Sequence, residues 1–319
     1  MAFINKNILV TGGAGFIGSH LCEKLLSLGN RVTTIDNFDA FYDRSIKEQN
    51  LKISLTNPNF KFIELDIINM NSLLQLCNEQ YDIIIHLAAK AGVRPSIENP
   101  LEYQTVNVGG TQNLLEFAKL KNIKDFVFAS SSSVYGINPN FPWKENDYVL
   151  NPISPYASTK ISGELLGHVY SHLFGIRFTA LRFFTVYGPR QRPDLAIHLF
   201  TKKIMNEIPI NIFGDGSTRR DYTYVDDIVE GIVNACQYNK SKFQVFNLGN
   251  SHTISLSNMI ETIEKAIGKK AILNRMSEQA GDVPITFSDI EKSKRELHYQ
   301  PQTEFEDGIA KFVNWLKKQ

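Results

Sequence analysis

Apolar residues in this chain fall into short runs separated by longer stretches in which they recur every three to four positions. Residues 8–10, 31–35, 61–65, 83–87 and 126–129 are brief apolar runs rich in Val, Ile, Leu and Phe, and they read as buried strands. The stretches over 17–28, 45–55, 70–77, 101–120 and 154–174 carry helical spacing, and Gly29 closes the first of them. Strands alternating with helices predict an α/β protein whose parallel sheet is covered on both faces. Right-handed crossovers then make the sheet doubly wound. A sixth strand is predicted over 177–184.

After Tyr187 the pattern changes. Gly188-Pro-Arg-Gln-Arg-Pro-Asp194 is a basic loop, and shorter elements follow near 210–213, 227–238, 243–248, 256–267 and 307–316. This divides the chain into residues 1–185, rejoined by 223–250, and a smaller substrate lobe of 186–222 and 251–319. There is no internal repeat and no low-complexity linker.

Composition narrows the class. A chain of 319 residues with 43% hydrophobic and 21% charged residues has an ordinary globular makeup. A net charge of +1 gives no general attraction for nucleic acid or an anionic membrane. No apolar run is long enough to span a bilayer. The N-terminal residues lead almost at once into the first strand, and no signal peptide is expected. Cys22, Cys77 and Cys236 are scattered, odd in number and without metal-ligand spacing. Free thiols and a cytoplasmic location are expected, with no metal.

The first strand runs into Thr11-Gly-Gly-Ala-Gly-Phe-Ile-Gly18. Gly12, Gly15 and Gly18 allow a tight turn and close approach of backbone to a pyrophosphate, and the helix N-terminus, with Phe16 and Ile17, turns N–H groups toward the anion. The second strand ends in Asp36, where a carboxylate accepts the ribose hydroxyls and repels a 2′-phosphate. A Rossmann-type site for NAD rather than NADP is expected. Asp66 after the third strand is either an adenine partner or a turn aspartate. Leu87-Ala-Ala89 ends the fourth strand with small residues over which a dinucleotide can lie. Asn37, Ile67 and Phe183 complete the expected cofactor set. Asn107 is a poor helix former inside a helix, which hints at a polar task, although a surface position stays open. His86 reads as a core histidine without chemical role.

Tyr156-Ala-Ser-Thr-Lys160 places a phenol and an ammonium one helical turn apart. A tyrosine held toward phenolate by a nearby cation is a base for a sugar or alcohol hydroxyl. The spacing alone is common in helices. It gains weight from the dinucleotide turn upstream and from the serine run 130–133 that closes the fifth strand.

Together these segments resemble the extended short-chain dehydrogenase/reductase superfamily, in its NAD-dependent epimerase/dehydratase branch. The matching stretches also include Arg182-Phe-Phe-Thr-Val-Tyr-Gly188 and Arg219-Arg-Asp-Tyr-Thr-Tyr-Val-Asp-Asp227. The resemblance implies that Tyr156 removes the O4 proton of a nucleotide sugar while tightly held NAD accepts hydride from C4. It also implies that Lys160 binds the nicotinamide ribose and favours the phenolate, and that Ser131 hydrogen-bonds the same hydroxyl. Hydride return to the other face of a 4-keto sugar then gives the epimer.

Within the branch, dehydratases carry an Asp-Glu pair where this chain has Ser132 and Ser133, and UDP-glucuronate decarboxylases carry a glutamate at the position of Ser133. Epimerisation needs neither. The loop after Arg182 is most similar to UDP-glucuronate 4-epimerases, which implies that Ser132, Ser133, Thr185 and Arg192 surround a C6 carboxylate. Arginine suits that group. A 4-keto uronic acid loses CO₂ easily, so a fixed network around the carboxylate is expected to hold its bond out of alignment with the ketone. For the UDP end the resemblance implies Arg220 at the diphosphate, Phe213 by uracil and Asp282 by the ribose; Arg94 is a second basic candidate near the cofactor crevice, and Asn211 is expected among the substrate-binding residues. Gln279 stands where galactose epimerases have an arginine.

Two other readings stay open: a UDP-glucose or UDP-N-acetylglucosamine 4-epimerase, with small Thr286 leaving room in the sugar pocket, and a non-catalytic NAD sensor. Helices 101–120 and 154–174 resemble those that pair across family dimers, so a homodimer is expected.

Overall fold

The computed structural model describes residues 3–277 and 283–319. Its centre is a seven-stranded parallel sheet. Strands β1 (Asn7–Thr11), β2 (Arg31–Asp36), β3 (Phe60–Glu64), β4 (Ile83–His86), β5 (Asp125–Ser131) and β6 (Arg177–Phe183) come from the first half. The second half adds β7 (Thr185–Tyr187), β8 (Ile210–Phe213), β9 (Arg219–Arg220), β10 (Tyr222–Tyr224), β11 (Phe243–Leu248), β12 (Ile254–Ser255) and β13 (Leu273–Met276). Across the sheet the order is β11-β6-β5-β4-β1-β2-β3. The order reverses between β1 and β4, which opens a crevice at the carboxyl ends of those strands. The remaining strands form three two-stranded pairs.

Both faces of the sheet are covered, as the unbroken apolar runs require. Ile8 and Val10 belong to one core with Ile83, Ile85 and Val127, whereas Leu9 belongs to the other with Ile84, Phe126 and Phe128. Successive side chains in a strand point to opposite faces, so each run feeds two cores. The first core continues into the second half of the chain through Ile197, Ile212, Val229 and Phe312.

Helix Pro155–Phe174 begins at Ser154, whose side chain accepts from the Ala157 N–H, and ends at Gly175 in the left-handed region at φ 68°. It lies very close to the sheet. A Cβ on Gly163 or Gly167 would overlap the rings of Phe128 and Phe178. That approach sets Tyr156 and Lys160 against the end of β5.

Several elements differ from the sequence pattern. The helix expected over 101–120 is instead Pro100–Tyr103, a π-helical turn Gln104–Gly109 and Gly110–Leu120. Helices Val93–Glu98 and Ala196–Met205 were not anticipated. Among the described residues no helix is long and apolar enough to cross a membrane.

Candidate active site

One cavity of about 420 Å³ opens along the carboxyl ends of β1, β2, β4, β5 and β6. Gly12, Gly15, Phe16, Ile17 and Gly18 form one wall. Gly12 has φ 74°, and a Cβ there would stand 2.8 Å from the Ala88 nitrogen. A Cβ on Gly18 would run into the Gly12 carbonyl. Only glycine permits this close turn. Helix Phe16–Ser27 has no side-chain cap, so its first N–H groups lack partners within the helix. The turn therefore has the form of an anion cradle, and the residues fit a dinucleotide.

Asp36 closes the wall at the end of β2. Its Oδ2 accepts from the Ala14 N–H at 3.1 Å and its Oδ1 from the Phe38 N–H at 2.9 Å. Burial pushes the carboxyl above its ordinary range, opposed by the Phe38 N–H, Lys47 and the Ala14 N–H. Asn37 and Asp66 also line the cavity and are joined, Asn37 Nδ2 donating to Asp66 Oδ2 at 2.9 Å. Asp66 additionally accepts from the Ile68 N–H at 3.0 Å, so it shapes its own turn as well as facing the cavity. Ile67, Leu87, Ala88, Ala89 and Phe183 complete this part.

Two other polar residues act behind the wall. The Ala88 N–H donates to Thr11 Oγ1 at 3.1 Å, and Thr11 Oγ1 lies 2.7 Å from His86 Nδ1. The Thr111 hydroxyl donates to the Asn107 carbonyl, so its oxygen accepts from Nε2–H at 3.0 Å and Nδ1 accepts from the Thr11 hydroxyl. Burial, then the charge of Lys160, push the imidazole down to about 3, so it is neutral at pH 7. His86 is a core histidine, as expected. Asn107, on the π-helical turn, is buried and does not face the cavity. Its Oδ1 accepts from the Lys90 N–H at 2.8 Å, and its Nδ2 donates to the Lys90 carbonyl and to Thr159 Oγ1, each at 3.0 Å. Its polar task is to tie the β4 exit to the turn between Tyr156 and Lys160.

The catalytic candidates converge at the far end. Ser131, Ser132, Tyr156, Lys160, Thr185 and Arg192 all line the same cavity. Ser133 stands behind Ser131, donating its hydroxyl to Ser131 Oγ at 2.9 Å. Burial pushes the Tyr156 phenol above its ordinary value, while the Ser131 hydroxyl and the Arg192 charge pull it down. Lys160 is not among the groups that lower it. The lysine donates to the Ala129 carbonyl at 2.7 Å and sits 5.8 Å from the centre of the Tyr156 ring. Burial brings its ammonium down to about 7 against the pull of Glu164. Tyr156 and Lys160 are thus two buried groups whose charged forms are both disfavoured by burial, rather than a phenol simply depressed by a charged neighbour.

A strap the sequence reading missed lies over the cavity. Residues 37–43 are held by Lys90 Nζ on Asp39 Oδ2 at 2.9 Å and by Lys47 Nζ on the Asp39 carbonyl at 2.5 Å. The Arg192 guanidinium lies 5.0 Å from the centre of the Phe41 ring. Lys47 is only 5% exposed, and an aliphatic residue would have been expected there.

Among the described residues, the UDP candidates lie outside this cavity. Arg94 follows Ala91 and Gly92 at its mouth and sits 5.6 Å from the centre of the Phe213 ring. Asn211 lies on the same strand and accepts from Asn274 Nδ2 at 2.9 Å. Arg220 Nη1 donates to the Arg219 carbonyl at 2.9 Å. Next to it, buried Asp221 accepts from the N–H groups of Asn250, Ser251 and Ser288, which joins three segments beneath Arg220. Thr286 Oγ1 accepts from the Asp221 N–H at 3.2 Å and does not face the cavity. Asp282 and Gln279 lie outside the described residues. Among the described residues no cluster of three metal-ligating side chains occurs.

Comparison with known proteins agrees with this geometry. A family model described as GDP-mannose 4,6 dehydratase matches residues 9–312. The chain is 44% identical to a UDP-glucuronate 4-epimerase of Thermodesulfobacterium geofontis, over 97% of this chain and 96% of that one. A crystal structure of UDP-glucuronic acid 4-epimerase from Bacillus cereus, in complex with UDP-glucuronic acid and NAD, superposes with a TM-score of 0.91 at 40% identity, covering 98% of this chain and 99% of the other. A UDP-N-acetylglucosamine 4-epimerase from Methanobrevibacter ruminantium superposes at 0.90 with 32% identity, over 99% of both chains.

Proposed function

The chain belongs to the GDP-mannose 4,6-dehydratase family of NAD-dependent nucleotide-sugar epimerases and dehydratases, and from that premise we propose that it interconverts UDP-glucuronate and UDP-galacturonate. The observation that carries the choice of substrate is Arg192. Its guanidinium enters the cavity close enough to bear on the Tyr156 phenol, with Ser131, Ser132 and Thr185 lining the same space. An arginine fork with hydroxyls beside it suits a carboxylate better than a neutral hydroxymethyl group.

When bound, NAD supplies the hydride acceptor at C4. Gly12, Gly15, Phe16, Ile17, Gly18, Asp36, Asn37, Asp66, Ile67, Leu87, Ala88, Ala89 and Phe183 are proposed to hold it, and Asn107 to brace them. Tyr156 takes the O4 proton as C4 is oxidised and returns it after the 4-keto sugar has turned. Ser131 donates to the same oxygen, and Lys160 keeps the pair ready to lose one proton. Arg192, Thr185 and Ser132, with Ser133 bracing Ser131 from behind, fix the carboxylate so that its C5–C6 bond stays out of line with the carbonyl π system. This restrains decarboxylation of the β-keto acid. Arg94, Asn211, Phe213, Arg220 and Asp282 are assigned to UDP. In this division of labour residues 1–185 with 223–250 carry the cofactor and the reacting residues, and 186–222 with 251–319 carry Arg192 and most of the UDP contacts.

Proton NMR of UDP-glucuronate incubated with the protein tests the reading. A galacturonate anomeric signal without UDP-pentose supports it; UDP-pentose as the main product overturns it.

Two further features belong to the same proposal. Leu165, Val169 and Leu173 repeat every four residues on helix Pro155–Phe174 at 57%, 44% and 62% exposure. This apolar stripe supports a homodimer. The free thiols of Cys22 and Cys236 support a reducing compartment, the cytoplasm.

A further inference from the structure

Lys160 is 4% exposed, and among the described residues it forms no ion pair. A carboxylate stands one helical turn further on, at Glu164, but it is committed elsewhere. Its Oε1 accepts from Ser130 Oγ at 2.5 Å and from Arg182 Nε at 3.0 Å, and its Oε2 accepts from Arg182 Nη2 at 2.8 Å. Arg182 and Glu164 are 3% and 6% exposed. The guanidinium is also 4.8 Å from the centre of the Tyr135 ring, and its Nη1 donates to the Glu145 carbonyl at 3.3 Å. None of this pair is needed for contact with substrate or cofactor. An apolar pair of the same volume would often be as stable, so a buried ion pair directly behind the reacting residues asks for another explanation.

We propose that Arg182 and Glu164 are positioning residues for the catalytic pair: Arg182 holds the Glu164 carboxylate with two nitrogens, so that the carboxylate's pull on the proton of the Tyr156–Lys160 pair is offset by an adjacent cation. The proposal rests on the reading of Tyr156 and Lys160 as the catalytic pair. Two buried cations, Lys160 and Arg182, share one buried anion, and geometry gives that anion to the arginine. The carboxylate still pulls on the lysine one turn away, and the guanidinium beside it opposes that pull. Ser130, the neighbour of Ser131, holds the carboxylate in that arrangement.

The charged and titratable groups around Lys160 define the sign of the effect. Tyr156 and Glu164 come from its own helix and neutral His86 from β4, while Arg182 on β6 meets Glu164 and Arg192 from the loop after β7 bears on Tyr156. Beyond Arg182 stand Glu145 and Lys292, whose charges oppose one another. The active form appears when the Tyr156–Lys160 pair loses one proton. A lone buried cation behind the pair makes that loss easier, and a lone buried anion makes it harder, whichever of the two residues is assigned the proton.

The test follows two readouts against pH: kcat/KM for UDP-glucuronate, and the ultraviolet tyrosinate band of Tyr156, isolated as a difference from Tyr156→Phe. Glu164→Gln moves both midpoints down by about one pH unit, and Arg182→Gln moves them up by about the same amount. The double variant, neutral like the native pair, returns them close to the starting value. Shifts of the same sign, or none, overturn the proposal, because a purely structural role lowers activity without opposed titrations. Should the single variants fail to fold, Ser130→Ala carries the test. It loosens the carboxylate without leaving a buried charge alone and moves the midpoints up by a smaller amount; unmoved midpoints overturn the proposal. If the wild type does not turn over uronate while the tyrosinate band still shifts as stated, the substrate assignment fails and the pair stands.

Discussion

Arg192 grips Asp194 with two nitrogens, Nε on Oδ1 at 3.0 Å and Nη2 on Oδ2 at 2.8 Å. The carboxylate is the more exposed partner, 39% against 17% for the guanidinium. The chain thus carries its own carboxylate on the fork that the account assigns to the substrate.

A uronate must share or displace that carboxylate. Arg192→Met is expected to raise KM for UDP-glucuronate by about tenfold to a hundredfold, the worth of a charge-assisted hydrogen bond. Asp194→Asn removes the competitor and is expected to lower KM several-fold. Steady-state kinetics decide this, and a raised KM for Asp194→Asn would mean that the aspartate orients the arginine rather than competing with the substrate.

Asp36 is the residue expected to select NAD. In Asp36→Asn the ribose loses a charged acceptor while a 2′-phosphate is no longer repelled, so cofactor retention falls by about tenfold and NADP gains access. Cofactor content after gel filtration, and reloading with each dinucleotide, measure both effects. Unchanged retention together with continued exclusion of NADP would remove Asp36 from this role.

Lys160 links function to stability. Burial lowers its ammonium from 10.5 to about 7, so between those values the unfolded chain binds a proton that the folded chain does not. Stability then rises with pH across the window: the contribution is complete above 10.5 and is lost as pH falls through 7. Lys160→Met removes this dependence. It is expected to be inactive, yet more resistant to thermal unfolding near pH 7, with a shallower rise of Tm from pH 7 to 10. A lower Tm at every pH would contradict the assignment.

The stripe of Leu165, Val169 and Leu173 gives a separate expectation. Leu173→Glu places a charge in a face that the account buries between two copies, and light scattering should show half the mass of the wild type. A wild type that is already monomeric would refute the dimer.

The local motifs were legible in the sequence for local reasons. A glycine turn between strand and helix, and Tyr156 and Lys160 at i and i+4, need only the geometry of one or two elements. Glu164, one turn beyond Lys160, was passed over, and its engagement with Arg182 could not be read from spacing. That contact depends on how helix Pro155–Phe174 lies on β6, and therefore on the close approach at Gly163 and Gly167. Asn107 showed its polar purpose through poor helix propensity, while its targets at Lys90 and Thr159 lie 17 and 52 residues away. Two-residue strands such as β9 and β12 are too short to leave a period. Helix Ala196–Met205 did carry one, with Ile197, Phe200, Thr201 and Ile204 buried, and it was overlooked beside the basic loop.

The central claim is tested most directly by comparing kcat/KM for UDP-glucuronate, UDP-glucose and UDP-N-acetylglucosamine on the purified protein with no NAD added. The account predicts epimerisation of the uronate by its retained cofactor, at least about a hundredfold more efficient than that of either neutral sugar. Efficient epimerisation of a neutral sugar with none of the uronate would contradict it.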